Sequence, residues 1–156
     1  MIVYVGSRKE SKDIANFLKS NNYPADYYHG GLPYSIRKEK QLNWNKNETR
    51  IIVCTNAFGM GINKENVKLV VHMYLPSTIE AYFQEAGRAG RNGKQAYSFL
   101  LVNKKDIERQ KKLLELRNPD ITKLKSFYQM IANFLQIAEN ILPEEELPFN
   151  IIEFCK

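Results

Sequence analysis

A chain of 156 residues with 44% hydrophobic and 12% aromatic content can fill one ordinary core, which excludes a disordered segment. Its 23 Lys and Arg against 17 Asp and Glu leave a formal charge of +6, which favours an anionic partner without requiring one. No apolar run approaches the ~20 residues that span a bilayer, so no membrane partner is expected. The two cysteines, Cys54 and Cys155, make neither a disulfide framework nor a zinc site by their spacing, and a reducing, intracellular setting is the simplest expectation.

Residues 2–5, Ile-Val-Tyr-Val, read as a buried strand, too short and too lacking in a basic leader to be a signal peptide. So abrupt a start suggests a domain cut from a longer chain. Gly6-Ser7-Arg8 follows, then a helix over residues 9–20 with Ile14, Phe17 and Leu18 inward and Asn21-Asn22 as its stop. Residues 25–28 form a second strand, and His29-Gly30-Gly31 turns into a polar helix over 34–45 that is opened by Pro33. Ile36, Leu42 and Trp44 are that helix's few apolar anchors.

The β-branched run at 50–54 is a strand covered on both faces. A loop with glycines two apart follows, from Thr55 to Asn63, and residues 67–72 form another buried strand. Ile79, Tyr82, Phe83 and Ala86 then recur at helical spacing, with Ser77 and Glu80 as a capping box. Gln84-Glu85-Ala86-Gly87-Arg88-Ala89-Gly90-Arg91 closes the helix with two arginines three apart on a glycine-rich backbone. Guanidiniums match phosphate oxygens in pairs and stay charged at physiological pH. Residues 95–102 supply a fifth strand.

Strands alternating with helices of this length predict an α/β fold, a parallel sheet sandwiched between helices. Ligand residues gather at the carboxyl ends of such strands, and Ser7-Arg8, His29-Gly30, 55–63 and the arginine turn are all expected at or just beyond that edge. After Asn103 the period becomes purely helical. One helix carries Ile107, Lys111 and Leu114 and breaks near Asn118-Pro119; a second, over 120–139, carries Ile121, Leu124, Tyr128, Ile131, Leu135 and Ala138, widened by Phe127, Phe134 and Ile141. Glu144-Glu145-Glu146 reads as a solvated linker, and 149–154 as a short apolar end. Residues 1–103 and 104–156 are therefore expected as separate domains, the second a short α-helical extension.

Cys54, within an apolar run, is expected as an inert buried thiol, and His72 fits a structural histidine. No G-x-x-x-x-G-K-[ST] loop occurs, nor an acidic pair placed to hold magnesium. Arginines without a phosphate cradle look like half of a composite site, which resembles the second RecA-like domain of a superfamily 2 helicase. The Gln84–Arg91 stretch is similar to helicase motif VI in its RecQ form, where DEAD-box RNA helicases usually have His at the Gln84 position. Residues 55–64, Thr-Asn-Ala-Phe-Gly-Met-Gly-Ile-Asn-Lys, resemble RecQ motif V; residues 2–8 resemble motif IV, and 28–32 the element that follows. Four motifs, ordered and correctly spaced, cover residues 1 to about 102.

That resemblance implies catalytic roles for Arg91, Arg88 and Gln84, with Arg91 and Arg88 as arginine fingers and Gln84 linking nucleotide to strand. It implies nucleotide contacts from Gly61, Asn63, Arg88 and Arg91, and contacts to single-stranded DNA from Ser7, Arg8, His29, Gly30, Thr55 and Asn56. ATP and magnesium would be held mainly by a missing first RecA-like domain, the chief partner besides single-stranded and partly duplex DNA. The parent would be a 3′ to 5′ DNA helicase of repair and recombination, cytoplasmic if bacterial, and this piece alone inactive. An RNA helicase domain and a non-catalytic nucleic-acid-binding module are the alternatives. Tyr74 departs from the acidic residue usual in the family, and the missing cysteines around the 120–139 helix lead us to expect no zinc and no other metal.

Overall fold

A computed structural model of the protein describes residues 1–59, 62, 64–137 and 146–155. The chain divides into two compact units, Met1–Gln110 and Lys111–Lys156. Five strands make the sheet of the first: β1 (Ile2–Tyr4), β2 (Ala25–Tyr28), β3 (Ile51–Cys54), β4 (Leu69–His72) and β5 (Tyr97–Leu100). Their order is β2-β3-β1-β4-β5 and every pairing is parallel. Three helices connect them: α1 (Arg8–Ser20), α2 (Tyr34–Asn45) and α3 (Ile79–Ala86). α4 (Lys104–Arg117) runs through the division between the units, and α5 (Ile121–Phe134) and α6 (Ile151–Phe154) follow.

Alternation along the strands separates two cores. Val3, Val5, Ala25, Ile51 and Val53 face α1, which brings Ala15 and, at its margin, Ile14 and Leu18. Ile2, Tyr4, Tyr28, Ile52, Cys54 and Val70 face the other way and meet Trp44 of α2 with Phe58, Ile62 and Val67 of the β3–β4 connection. Helices thus lie on both faces of the sheet. Register sets Tyr28, Cys54, Tyr4, His72 and Leu100 side by side across all five strands at their carboxyl ends.

Three inward faces differ from expectation. On α1 the buried stripe is Ser11, Ile14, Ala15 and Leu18, and Phe17 on its flank is 66% exposed. On α2 the single ring of Trp44 fills the space, leaving Ile36 and Leu42 exposed. On α3 half of the expected apolar face is inward: Tyr82 packs on His72 and Ala86 is half-buried, but Ile79 at 71% and Phe83 at 66% are exposed, because Glu85, and Arg88 just past the helix end, take buried positions. Thr78, not Ser77, caps α3, its hydroxyl accepting from the Ala81 N–H.

α1 stops as expected: Asn22 sits at φ 63, and the N–H groups of Asn22 and Tyr23 reach back to Lys19 and Leu18. α5 ends by the same device earlier than its periodicity implies. Gln136 takes φ 55, donating to Asn133 while Ile137 donates to Ala132. Its stripe is open, with Ile121, Leu124, Phe127 and Tyr128 all exposed. Ala138, Ile141, Glu144 and Glu145 lie outside the described residues. In this second unit the rings of Phe134, Phe149 and Phe154 form a triangle with centroids 5.3–5.8 Å apart, Phe134 meeting the other two edge-on.

Candidate functional site

At the carboxyl rim the strand exits are tied by backbone bonds from Val5 to Cys54, Thr55 to Tyr28 and Met73 to Tyr4. Ser7 caps α1, its Oγ accepting from the Glu10 N–H at 3.1 Å. A hydroxyl used as acceptor still has its proton to donate, so the cap leaves Ser7 able to meet a phosphate oxygen. Arg8 folds back over the neighbouring exit: a methyl on Gly31 would come within 2.8 Å of Arg8 Nη1, so a side chain there would have to push the guanidinium aside. A Cβ at Gly30 would touch that of Ala57 at 3.5 Å, which brings the β3 exit, with half-buried Thr55 and exposed Asn56, alongside. His29 stacks on Tyr27, and its buried Nδ1 has no hydrogen-bond partner among the described residues. Burial, and then the charge of Arg8, hold its pKa below the ordinary imidazole value. Ser7, Arg8, His29, Gly30, Thr55 and Asn56 are therefore gathered along one rim.

The arginine turn lies elsewhere. The Gly90 N–H donates to Val67 O, and Val67 stands just ahead of β4, at the amino-terminal edge of the sheet. The long β3–β4 connection spans the distance between the two edges, and both arginines grip it. Arg88, 8% exposed, donates from Nη1 to Gly59 O at 2.8 Å, and Arg91, exposed, donates from Nη1 to Ile62 O at 2.8 Å. A Cβ at Gly59 would overlap Arg88 Nη2 at 2.3 Å, so the glycine makes room for the guanidinium. Expectation placed every motif at one edge; the structure sets them along a path from rim to opposite edge, because α3 runs back across the sheet before the turn. Gln84 is exposed on α3. Gly61 and Asn63 lie outside the described residues.

Behind Arg88 is a polar cluster that no sequence pattern announced. Glu85, 6% exposed, receives the Tyr74 hydroxyl at 3.2 Å, and its Oε2 lies 3.0 Å from Nε2 of the fully buried His72. That approach is oblique, and neither imidazole nitrogen has an aligned hydrogen-bond partner among the described residues. His72 is held between Tyr4, stacked at 5.3 Å, and Tyr82 at 5.1 Å. Tyr4 donates to Phe58 O, one residue from the carbonyl that Arg88 holds. Burial, and next the Glu85 charge, push the Cys54 thiol well above its ordinary range, which keeps it unreactive. The departure at Tyr74 thus has a partner: its hydroxyl supplies the proton that Glu85 accepts.

An all-parallel five-stranded sheet with helices on both faces, closed by a turn that carries two arginines, is a RecA-like arrangement. The chain belongs to the family described as the helicase conserved C-terminal domain, whose model matches residues 1–93. Several of its relatives are named as RecQ-type helicases. The ATP-dependent DNA helicase RecQ of Bacillus subtilis is 46% identical over 114 residues, covering 73% of this chain and 19% of the relative. The probable ATP-dependent DNA helicase RecS of the same organism is 36% identical over 153 residues, covering 97% and 31%. The chain therefore spans less than a third of either relative. Among solved structures, Prp28 from Chaetomium thermophilum bound to ADP superposes with a TM-score of 0.61 at 30% identity, covering 74% of this chain and 28% of that one. The C-terminal domain of the DEAD-box protein Dbp5, at 23% identity and a TM-score of 0.61, shares the fold over 77% of this chain and 70% of its own.

Proposed function

We propose that this chain is the second motor domain of an ATP-dependent DNA helicase that steps 3′ to 5′ along one strand. The observation that carries the reading is the seating of Arg88 and Arg91 on the carbonyls of Gly59 and Ile62. Two guanidiniums are thereby held beside one loop with no phosphate cradle of their own. Arg88 is the more buried and acts as a clamp between the turn and the connection; exposed Arg91 is the arginine presented to the terminal phosphoryl of ATP. The residues suit that ligand as one half of its site: Arg91 neutralises charge there, while a first RecA-like domain supplies the phosphate loop and the magnesium ligands. Closure of the cleft between the domains brings Arg91 into place and moves the rim relative to its partner. Gln84 connects the two sites. Ser7, Arg8, His29, Gly30, Thr55 and Asn56 grip the phosphates of the strand without reading its bases, as hydroxyls, arginine and exposed backbone N–H groups do.

The 156-residue chain alone is expected to show no ATP hydrolysis with or without single-stranded DNA; substantial DNA-stimulated turnover would refute the half-site reading. A second reading keeps the motor and changes the strand. It is favoured by a putative ATP-dependent RNA helicase of Acanthamoeba polyphaga mimivirus, 37% identical over 118 residues. Unwinding of matched DNA and RNA duplexes by the longer enzyme separates the two, preference for RNA overturning the first.

A further inference from the structure

Glu85 has no role in the reading above, and its place is a costly one. It lies in the last turn of α3, where the helix dipole disfavours negative charge, and it is 6% exposed. A carboxylate withdrawn this far from water persists only where partners compensate it. The Tyr74 hydroxyl does so at 3.2 and 3.4 Å from its two oxygens, while His72 Nε2 lies 3.0 Å from Oε2 without an aligned hydrogen bond. Burial, and then the carboxylate, push the Tyr74 hydroxyl above its ordinary range, so it remains a donor at any working pH. His72 cannot retreat, being held between the rings of Tyr4 and Tyr82.

The two ends of this contact reach different parts of the site. Tyr74 packs beside Gly6, where a methyl would come within 3.7 Å of Tyr74 Cβ, and Gly6 leads directly into Ser7 and Arg8. Glu85 sits one helical turn before Arg88, whose guanidinium holds Gly59 O at 2.8 Å. We infer that Glu85 and Tyr74 are a positioning pair for the arginine turn. Their hydroxyl–carboxylate bond fixes the rotation of α3 about its axis, keeps Arg88 and Arg91 on the β3–β4 connection, and ties that turn to the strand-gripping rim. Neither residue touches a reacting atom; each acts through the arginines, and the inference rests on the proposal that Arg91 serves hydrolysis.

Turnover by the longer enzyme and an Arg side-chain spectrum of this chain test it together. Tyr74→Phe, which removes one oxygen, and Glu85→Ala are each expected to lower kcat about 10- to 100-fold, the scale of a small misplacement of a reacting group, with KM for ATP moving less than about twofold. Glu85→Gln keeps an oxygen to accept from Tyr74 and should retain more turnover than either. In the ¹H–¹⁵N spectrum the Nε–H of Arg88, buried in the wild type, should shift and exchange faster with solvent in Tyr74→Phe. Unchanged kcat overturns the inference, and so does a lost kcat with an unmoved Arg88 signal. Should Glu85→Ala fail to fold, Tyr74→Phe decides. Arg91→Ala is the control: normal turnover by it refutes the reading of Arg91, while the spectrum still decides whether the pair positions α3.

Discussion

Gly90 and Gly93 both adopt φ 72, but their surroundings differ. A Cβ on Gly90 would meet Ala96 Cβ and Lys94 O at 3.2 Å, whereas one on Gly93 meets nothing within 4 Å. Gly93→Ala is expected to lose the about 1–2 kcal/mol of a left-handed backbone, and Gly90→Ala more, since crowding adds to it. Urea unfolding of the two variants checks the ranking. At the rim, the pKa of His29 is lowered by burial and by Arg8, so the folded chain binds a proton there less readily than the unfolded one, and stability falls as pH drops through the imidazole range. A bound phosphate favours the charged ring. Binding of a single-stranded oligonucleotide is therefore expected to tighten as pH falls through that range while the chain stays folded, and the slope should weaken in His29→Gln; fluorescence anisotropy measures both. Arg88, Arg91, Arg8 and His29 could be singled out in the sequence because each stands in a recognisable word at a strand or helix end. Glu85 could not, while His72 stands out only as a structural histidine and Tyr74 only as a departure from the family pattern. A buried carboxylate is identified by what surrounds it, and His72 at the end of an apolar run reads as ordinary core.

Among the elements, α3 shows most clearly what periodicity omits. Its apolar residues recur at helical spacing, yet Ile79 and Phe83 are exposed because the buried contacts of Glu85 and Arg88 fix its rotation. Existence and position of the helix were legible; its inward face was legible only at Tyr82 and Ala86, since polar partners decide the rest. The cap differs by one residue for a similar reason: Ser77 and Thr78 are both competent N-caps, and the side-chain bond to Ala81 selects Thr78. Thr78→Ala is expected to cost about 1 kcal/mol and Ser77→Ala almost nothing. Thermal unfolding of both variants gives the comparison, and the reverse order would contradict the observed cap. α5 ran past its true end in the sequence reading because nothing in a one-dimensional pattern marks Gln136 as the residue that turns left-handed.

For the whole molecule, the parallel sheet with helices on both faces followed from alternating patterns alone. The strand order did not, because the crossing of the β3–β4 connection past β1 leaves no local trace. That crossing carries the chain from the carboxyl rim, where Ser7, Arg8, His29 and Thr55 gather, to the edge where the arginine turn sits, so one connection touches both groups of residues. Helicase membership rests on the matched family; the division of labour between Arg88 as clamp and Arg91 as the phosphate-facing arginine is the claim that most needs a direct test. The measurement is single-turnover ATP hydrolysis by the longer enzyme carrying Arg91→Ala, with ATP affinity measured separately. Loss of an arginine finger lowers the rate about 10³- to 10⁵-fold. A loss of that size with ATP affinity largely kept is the expected result; near-normal turnover would contradict it and pass the role to Arg88 or to another residue.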